Sequence, residues 1–485
     1  VKQLETSNAG PVWHFFSQIC AIPHPSKHEQ QLSLWIQHWA REKGLAVDED
    51  ATGNLKISKP ATAGMENRAG VVMQAHLDMV PQKNSDSTHD FVTDPIRPYI
   101  DGEWVTADGT TLGADNGIGM ASALAILDSD DVPHGPLEVL LTIDEEAGMT
   151  GAFNLQPGWF NGKILINTDS EQNGEVYMGC AGGVDANFNL PIEREVASGQ
   201  MAAMKFELRG LKGGHSGCDI HLGRGTANQL MAQLLRHIGQ QHTLQVSNFS
   251  GGSLRNAIAR EADCELWVFA TEQDEIQVKA EAFFSQHQQL LSVKEPTMSL
   301  AVSRVSSDTV PLSQTSSQQL INLLCALPHG VVRMSDSIEG VVETSTNLGV
   351  VRTEADTVSV QCLIRSLNDT GRQQIAEQHA AIAELSGASV SFDGAYPGWE
   401  PDTNSIAMTT VRETYQALFG KLPNIMVIHA GLECGLFKAA YPDWDMVSIG
   451  PTIRFPHSPD EKVEIASVDD YWTLLKGVLA AIPAA

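Results

Sequence analysis

Two rhythms of apolar and polar positions run along this 485-residue chain. One consists of short apolar runs. "AGVVMQAHLD" (69–78), "LEVLLTI" (137–143) and "KILINT" (163–168) have the length of strands buried in a sheet. The other spaces apolar residues by three and four. "DNGIGMASALAILDS" (115–129) predicts a helix on that spacing, and Ser26-Lys27-His28-Glu29 reads as a capping box opening a helix through about Lys43. "NLKIS" (54–58) adds a strand. Strands alternating with helices predict an α/β layer with a mixed, largely parallel sheet. Polar residues at the strand ends mark where such sheets place their sites.

Two glycine- and proline-rich breaks, 179–183 and 393–402, interrupt this style. Between them lie helical patterns near 225–241, 272–292, 314–326 and 370–386. Strand-like runs separate them: "MKFELRG", "CELWVFA", "SLAVSRV" and "VSVQCLIRS". This predicts an inserted α+β domain, in which two β-α-β halves are possible although no sequence repeat is visible. From about 400 the first style resumes, with a helix near 405–419, strands "IMVIH" and "MVSIG", and a closing helix from Val468. The expected organisation is one discontinuous domain, 1–183 with 399–485, carrying an insertion, 184–398.

Composition narrows the function. The length exceeds one ordinary core, and 42% hydrophobic residues suffice for folded domains. Net charge is 31 − 59 = −28, which argues against nucleic acid or an anionic membrane as partner and suits a protein that holds cations. The seven cysteines are odd in number, scattered and without a C-x-x-C, as in a cytoplasmic protein with reduced thiols. No window approaches a membrane span. "PVWHFFSQICAI" is too broken by His14, Ser17 and Gln18 to read as a secretory leader.

Five stretches concentrate Asp, Glu and His beside glycine: "AHLDMV", "LGADNGIG", "IDEEAG", "INTDSE" and "RFPHSPDE". Singly each is weak, because a lone histidine is more often a surface or core residue and an acid pair more often a solvated turn. Together they offer His76, Asp115, Glu146, Asp169 and His457, a ligand set suited to two divalent ions such as Zn²⁺. Asp78, two residues from His76 on a strand, shares its face and is placed to orient the ring. "GADNGIGMAS" lacks the third glycine of a dinucleotide fingerprint, and "GGHSG" is no nucleophile elbow.

These motifs, with "AHLDMVPQKN", "IDEEAGMTGA", "NTDSE" and "GGHSG", resemble those of the M20 metallopeptidases in the family's order along nearly the whole chain. The likeness is greatest to the branch that splits Xaa-His dipeptides, including the β-alanyl-histidine type. The resemblance implies a cytoplasmic metal-dependent dipeptidase with two ions per chain, Zn²⁺ first and Mn²⁺ or Co²⁺ as alternatives. It makes Asp115 the bridging ligand, His76 and Asp169 the rest of one site, and Glu146 and His457 the rest of the other. Asp78 becomes a supporting catalytic residue and Glu145 the general base. On an extended segment, Glu145 and Glu146 are expected to point in opposite directions, one to water and one to metal. The insertion is implied to be a lid and dimerisation domain, with His215 on the oxyanion, Arg365 on the substrate carboxylate and Asn256 assisting. Glu433 in "HAGLECG" is a candidate for the free amino group. The residues alone leave Arg365 as a surface arginine, Asn256 as a turn residue and Glu433 as a helix-start acid.

Departures from the common pattern are Asn116, where many members carry an acid or glycine, and Ala75 in place of glycine. Asp169 in place of Glu goes in this family with di- and aminopeptidases. Competing readings are an N-acyl amino acid deacylase or carboxypeptidase of the same family, and a non-catalytic metal-binding protein. Retention of Glu145 beside all five ligands speaks against the last.

Overall fold

The computed structural model describes all 485 residues. Three wholly buried strands, Val71–His76, Leu137–Thr142 and Ile164–Asn167, lie at the centre of its eight-stranded sheet. Burial on both faces is why they read as short, largely apolar runs. The sheet order is Ala46–Glu49, Leu55–Lys59, Leu137–Thr142, Val71–His76, Ile164–Asn167, Asp445–Ser448, Glu175–Cys180, Asn424–Ile428. The four strands from Leu137–Thr142 to Asp445–Ser448 run parallel, and antiparallel pairs flank them. His76 ends one parallel strand, and Asp169 lies two residues beyond the end of the next. A small antiparallel sheet of Ile453–Arg454, Lys462–Glu464, Trp104–Ala107 and Pro98–Asp101 supports the 455–461 loop that carries His457.

The chain divides into two units: Val1–Gly179 with Trp399–Val427 and Leu432–Ala485, and Cys180–Gly398 with Ile428–Gly431. In the first, the 115–129 pattern forms the helix Ala114–Asp128, with Asp115 and Asn116 departing from helical geometry at its start. Gly119 permits its approach to the sheet, since a Cβ there would sit 2.5 Å from Thr168 Oγ1 and 2.6 Å from the Thr168 carbonyl. The helix Gly10–Cys20, whose apolar pattern is broken by His14, Ser17 and Gln18, buries Val12, Trp13, Phe16 and Ile19 completely.

The capping box does not form. Gln30–Glu42 starts after Glu29 without a side-chain cap. Ser26 Oγ instead donates to Asp78 Oδ2 at 2.7 Å, and Glu29 Oε1 accepts the N–H groups of Lys27 (2.9 Å) and Asp144 (3.0 Å). Buried donors of the acidic loop need acceptors more than an exposed helix end does.

The second unit is built on an entirely antiparallel sheet, ordered Ser299–Val305, Met201–Arg209, Ala262–Phe269, Leu244–Gly251, Val342–Thr353, Thr357–Ser366, Gly182–Pro191, Ser389–Tyr396. Each half is a βαββαβ unit with strands in the order 4-1-3-2, and the first is nested between strand one and helix one of the second. The halves meet edge to edge through only Ser250↔Arg352 and Gly251↔Val351. Four helices, Ala227–Gly239, Gln273–Leu291, Gln314–Ala326 and Asp369–Ser386, share one apolar core with the sheet. The topology repeats although no sequence repeat is visible. His242 and His379, both within or beside helices of this unit, are buried. His379 bonds the Ile375 carbonyl and Thr346 Oγ1. No helix is long and apolar enough to cross a membrane.

Candidate metal centre

Asp115 stands between two histidines. Its Oδ1 lies 3.3 Å from His76 Nε2, and its Oδ2 lies 3.2 Å from His457 Nε2. His76 Nε2 is also 3.3 Å from Asp169 Oδ1, and His457 Nε2 is 3.1 Å from Glu146 Oε2. The five residues thus form two triads that share Asp115: His76, Asp115, Asp169 and Asp115, Glu146, His457.

Three observations fit these triads to metal ions. Two atoms each ~2.1 Å from one tetrahedral ion lie about 3.4 Å apart, close to the separations found here. The His76 tautomer is suitable as well. Its Nδ1 sits 2.9 Å from the Asp78 backbone carbonyl, which only accepts, so Nδ1 carries the proton and Nε2 turns its lone pair toward two carboxylates. A proton or a metal ion on Nε2 is what reconciles them. Finally, Glu146 Oε1 and Asp169 Oδ1 are buried without any hydrogen bond, and such atoms are costly unless a cation meets them.

The electrostatics agree. Burial alone would depress the His76 pKa, yet Asp169, Asp115 and Asp78 hold it well above its ordinary value. Hydrogen bonds to Asp115 and Glu146 push His457 up to about 11. Burial, reinforced by Asp115, raises Asp169 to about 7. Glu145 is raised well above the carboxylate range by burial, with Asp169, Glu433 and Glu146 adding to it. The pocket is short of positive charge, which divalent ions would supply.

The acidic turn differs from expectation. Residues 144–146 are not extended. Asp144 adopts φ 54°, ψ 38°, and Glu145 and Glu146 open the short helix Glu145–Gly148. Their carboxylates therefore do not point oppositely: one oxygen of each and a ring nitrogen of His76 all lie within 4.8 Å of one another. Asp78 holds this turn, its Oδ1 accepting the Glu145 N–H (2.9 Å) and its Oδ2 the Glu146 N–H (3.1 Å). Its backbone carbonyl, more than its carboxylate at 3.4 Å, orients the His76 ring.

Three residues complete this surround. Asn116, 2% exposed, accepts the His76 N–H and donates to the Thr168 carbonyl, tying together the segments that bear His76, Asp115 and Asp169. Glu433 is 1% exposed. Its Oε2 accepts from Gln74 Nε2 (2.6 Å) and Thr142 Oγ1 (2.9 Å), while its Oε1 has no partner. Burial raises it to about 8, against the pull of His76. Glu171, raised to about 8 by burial and by Asp115 and Asp169, is a further acid beside the triads. It ends the "INTDSE" stretch, and nothing in the sequence separates it from a solvated acid.

In the second unit, His215 and Asn256 come together. Gly214–His215 pairs with Ala257–Ile258, and the Asn256 carbonyl accepts the Ser216 N–H at 2.9 Å. His215 Nδ1 accepts the N–H groups of Gly217 (3.2 Å) and Cys218 (3.0 Å). A backbone N–H only donates, so the ring proton resides on Nε2. Burial and the Arg365 charge keep the ring neutral by lowering its pKa. Arg365 is 5% exposed, with Nη1 3.2 Å from Tyr396 Oη and Nε 3.4 Å from Ser216 Oγ. It is a buried guanidinium held by neutral hydroxyls alone, and not the surface arginine that the residues by themselves suggest.

Comparison with known proteins gives this geometry a family. The chain is 54% identical over 484 residues to the cytosol non-specific dipeptidase of Escherichia coli (strain K12), covering 100% of both chains. It superposes on the crystal structure of aminoacylhistidine dipeptidase from Vibrio alginolyticus with a TM-score of 0.95 and 55% identity, covering 99% of this chain and 98% of that one. The aminopeptidase PepT of Bacillus cereus shares the fold, with a TM-score of 0.57 at 16% identity over 98% of each chain. The profile of peptidase family M20/M25/M40 matches residues 72–481. The chain belongs to peptidase family M20/M25/M40.

Proposed function

We propose that this M20 peptidase is a metal-dependent dipeptidase that hydrolyses unblocked dipeptides, Xaa-His among them. The observation that carries the reading is Asp115 shared between two His/carboxylate triads with the carboxylate of Glu145 alongside. The dipeptidase names of the two relatives above 50% identity support it, one of them non-specific and one aminoacylhistidine. When bound, two divalent ions, Zn²⁺ suiting the mixed His/carboxylate set best and Mn²⁺ or Co²⁺ next, supply carbonyl polarisation and an acidified water.

The chain's own residues do the rest. Glu145 takes the proton of the attacking water and passes it to the leaving amine. Asp78 fixes the turn that presents Glu145. His215 donates Nε2–H to the carbonyl oxygen as charge develops there, a role its neutral tautomer suits. Arg365 pairs with the C-terminal carboxylate through its planar fork, and Asn256 assists from beside His215. Glu433, with its unpartnered Oε1, receives the free ammonium group. Residues 1–183 with 399–485 serve as the catalytic domain. Residues 184–398 serve as lid and dimerisation element, for which the open edges of Ser299–Val305 and Ser389–Tyr396 are available. A cytoplasmic setting accords with the name of the Escherichia coli relative.

The test is metal analysis combined with hydrolysis of Xaa-His, Xaa-Gly, tripeptide, amidated dipeptide and N-acetyl amino acid substrates, before and after chelation. Rates should be high on unblocked dipeptides, fall steeply for the others and vanish on chelation. Equal rates on N-acetyl amino acids would make the enzyme a deacylase. Light scattering that finds a fully active monomer would remove the dimer.

A further inference from the structure

The 455–461 loop reaches the same residue twice. Its His457 meets the Asp115 side chain, with Nε2 3.2 Å from Oδ2. Its Glu461, four residues on, meets the Asp115 backbone. Glu461 Oε1 accepts the N–H groups of Ala114 (2.8 Å) and Asp115 (3.2 Å), and Oε2 those of Leu112 (2.8 Å) and Gly113 (3.0 Å). Glu461 is 2% exposed and makes no ion pair, so these four donors are its entire compensation for leaving water. Gly113 at φ 71° turns the segment so that successive N–H groups converge on one carboxylate. They lie at and before the start of the Ala114–Asp128 helix, where backbone donors have no partner within the helix. The His457 side chain is 52% exposed and its backbone lies at φ 60°, so little else on its own loop holds it.

We propose that Glu461 is a positioning residue that locks Asp115, the residue shared by the two triads, to the His457 loop and thereby sets the metal affinity of the Asp115, Glu146, His457 triad. The assignment rests on the metal-centre reading given above. A glutamine in its place has one acceptor oxygen, and its NH₂ faces two of the four N–H groups, so the Asp115 segment and the loop separate. An aspartate is one methylene shorter and keeps only part of the grip.

The experiment titrates metal-free protein with Co²⁺, counting bound ions by equilibrium dialysis and following the visible absorption of the metal. Wild type should bind two ions. Glu461→Gln should bind one as wild type does and the other ~10–100-fold more weakly, the range typical of removing a group that orients metal ligands. High Co²⁺ should restore most of kcat, with KM for a dipeptide little changed. Glu461→Asp should fall between, and Asp460→Asn, an exposed acid on the same loop, should match wild type. If Glu461→Gln does not fold, the same titration of Glu461→Asp decides. Both ions retained at wild-type affinity alongside a lowered Tm would show a merely structural role and overturn the assignment. Wild type that binds no Co²⁺ would instead bring down the metal-centre reading, and this assignment with it.

Discussion

The two units each bury charge without its counterpart, and they do so with opposite sign. Around Asp115, carboxylates outnumber the imidazoles of His76 and His457, and two carboxylate oxygens, Glu146 Oε1 and Asp169 Oδ1, have no donor. In the insertion, Arg365 is buried among hydroxyls with no acid beside it. Buried charge left unpaired costs several kcal/mol, which supports the occupants proposed above, cations at the first place and a substrate carboxylate at the second. They also differ in how they are held. The acidic centre is braced by backbone N–H groups donating to Asp78, Glu29 and Glu461. Arg365 has only two hydroxyl partners, at 3.2 and 3.4 Å. A metal centre needs rigid geometry before its ions arrive, whereas a long cationic side chain can follow its anion.

The largest effect should come from splitting the acid pair. Glu145→Gln should lower kcat by ~10²–10⁴, as loss of a general base does, with metal content at the wild-type level. Glu146→Gln should lose one ion per chain and recover part of its activity in excess metal. Reversed metal stoichiometries would reverse the assignment. Next comes Arg365→Ala. It should cost roughly 30- to 10³-fold in kcat/KM on unblocked dipeptides, the scale of removing one partner of a buried charge pair. Hydrolysis of the amidated dipeptide, already slow, should hardly change. An equal loss on both substrates would place Arg365 outside carboxylate binding.

The remaining two effects are smaller. His379 in the insertion is held down to about 4 by burial, against an ordinary 6.5. The unfolded chain therefore takes up this proton first, and stability falls as pH drops from 6.5 to 4, by up to about 3 kcal/mol. His379→Leu should remove that part of the slope, measured as Tm against pH, and leave stability above pH 7 without a His379 dependence. An unchanged slope would mean that the ring takes up its proton at the same pH in the folded protein as in the unfolded chain. Smallest is Ser26→Ala, which removes one donor to Asp78. It should cost about 1 kcal/mol, read as less than a tenfold fall in kcat with both ions retained. A loss of metal there would show that Asp78 holds His76 more than the Glu145–Glu146 turn.

Much of this was legible in the sequence. The three central strands announced themselves as short, largely apolar runs because both faces are covered. The candidate ligands lay at strand ends and loop starts, where an open α/β sheet gathers polar groups. The four helices of the insertion kept their three-four spacing because one side of each packs on the sheet. The Ser26–Glu29 capping box failed because local pattern does not reveal that a buried loop 115 residues further along needs Glu29 as its acceptor. The opposed directions of Glu145 and Glu146 failed because Asp144 enters the left-handed region and converts a strand end into a turn.

The sequence by itself determined which side chains were available: their types, their order and the periodicity that forms each element, since these follow from local backbone preference and the burial of apolar faces. Only the tertiary structure decided which atoms meet. It set Oδ1 and Oδ2 of one aspartate toward two different histidines, and fixed the His76 tautomer through a backbone carbonyl. It placed Glu461 on four N–H groups more than 340 residues away in the chain. Such contacts arise where buried polar groups must find partners, and burial is a property of the folded chain that no local stretch of sequence contains.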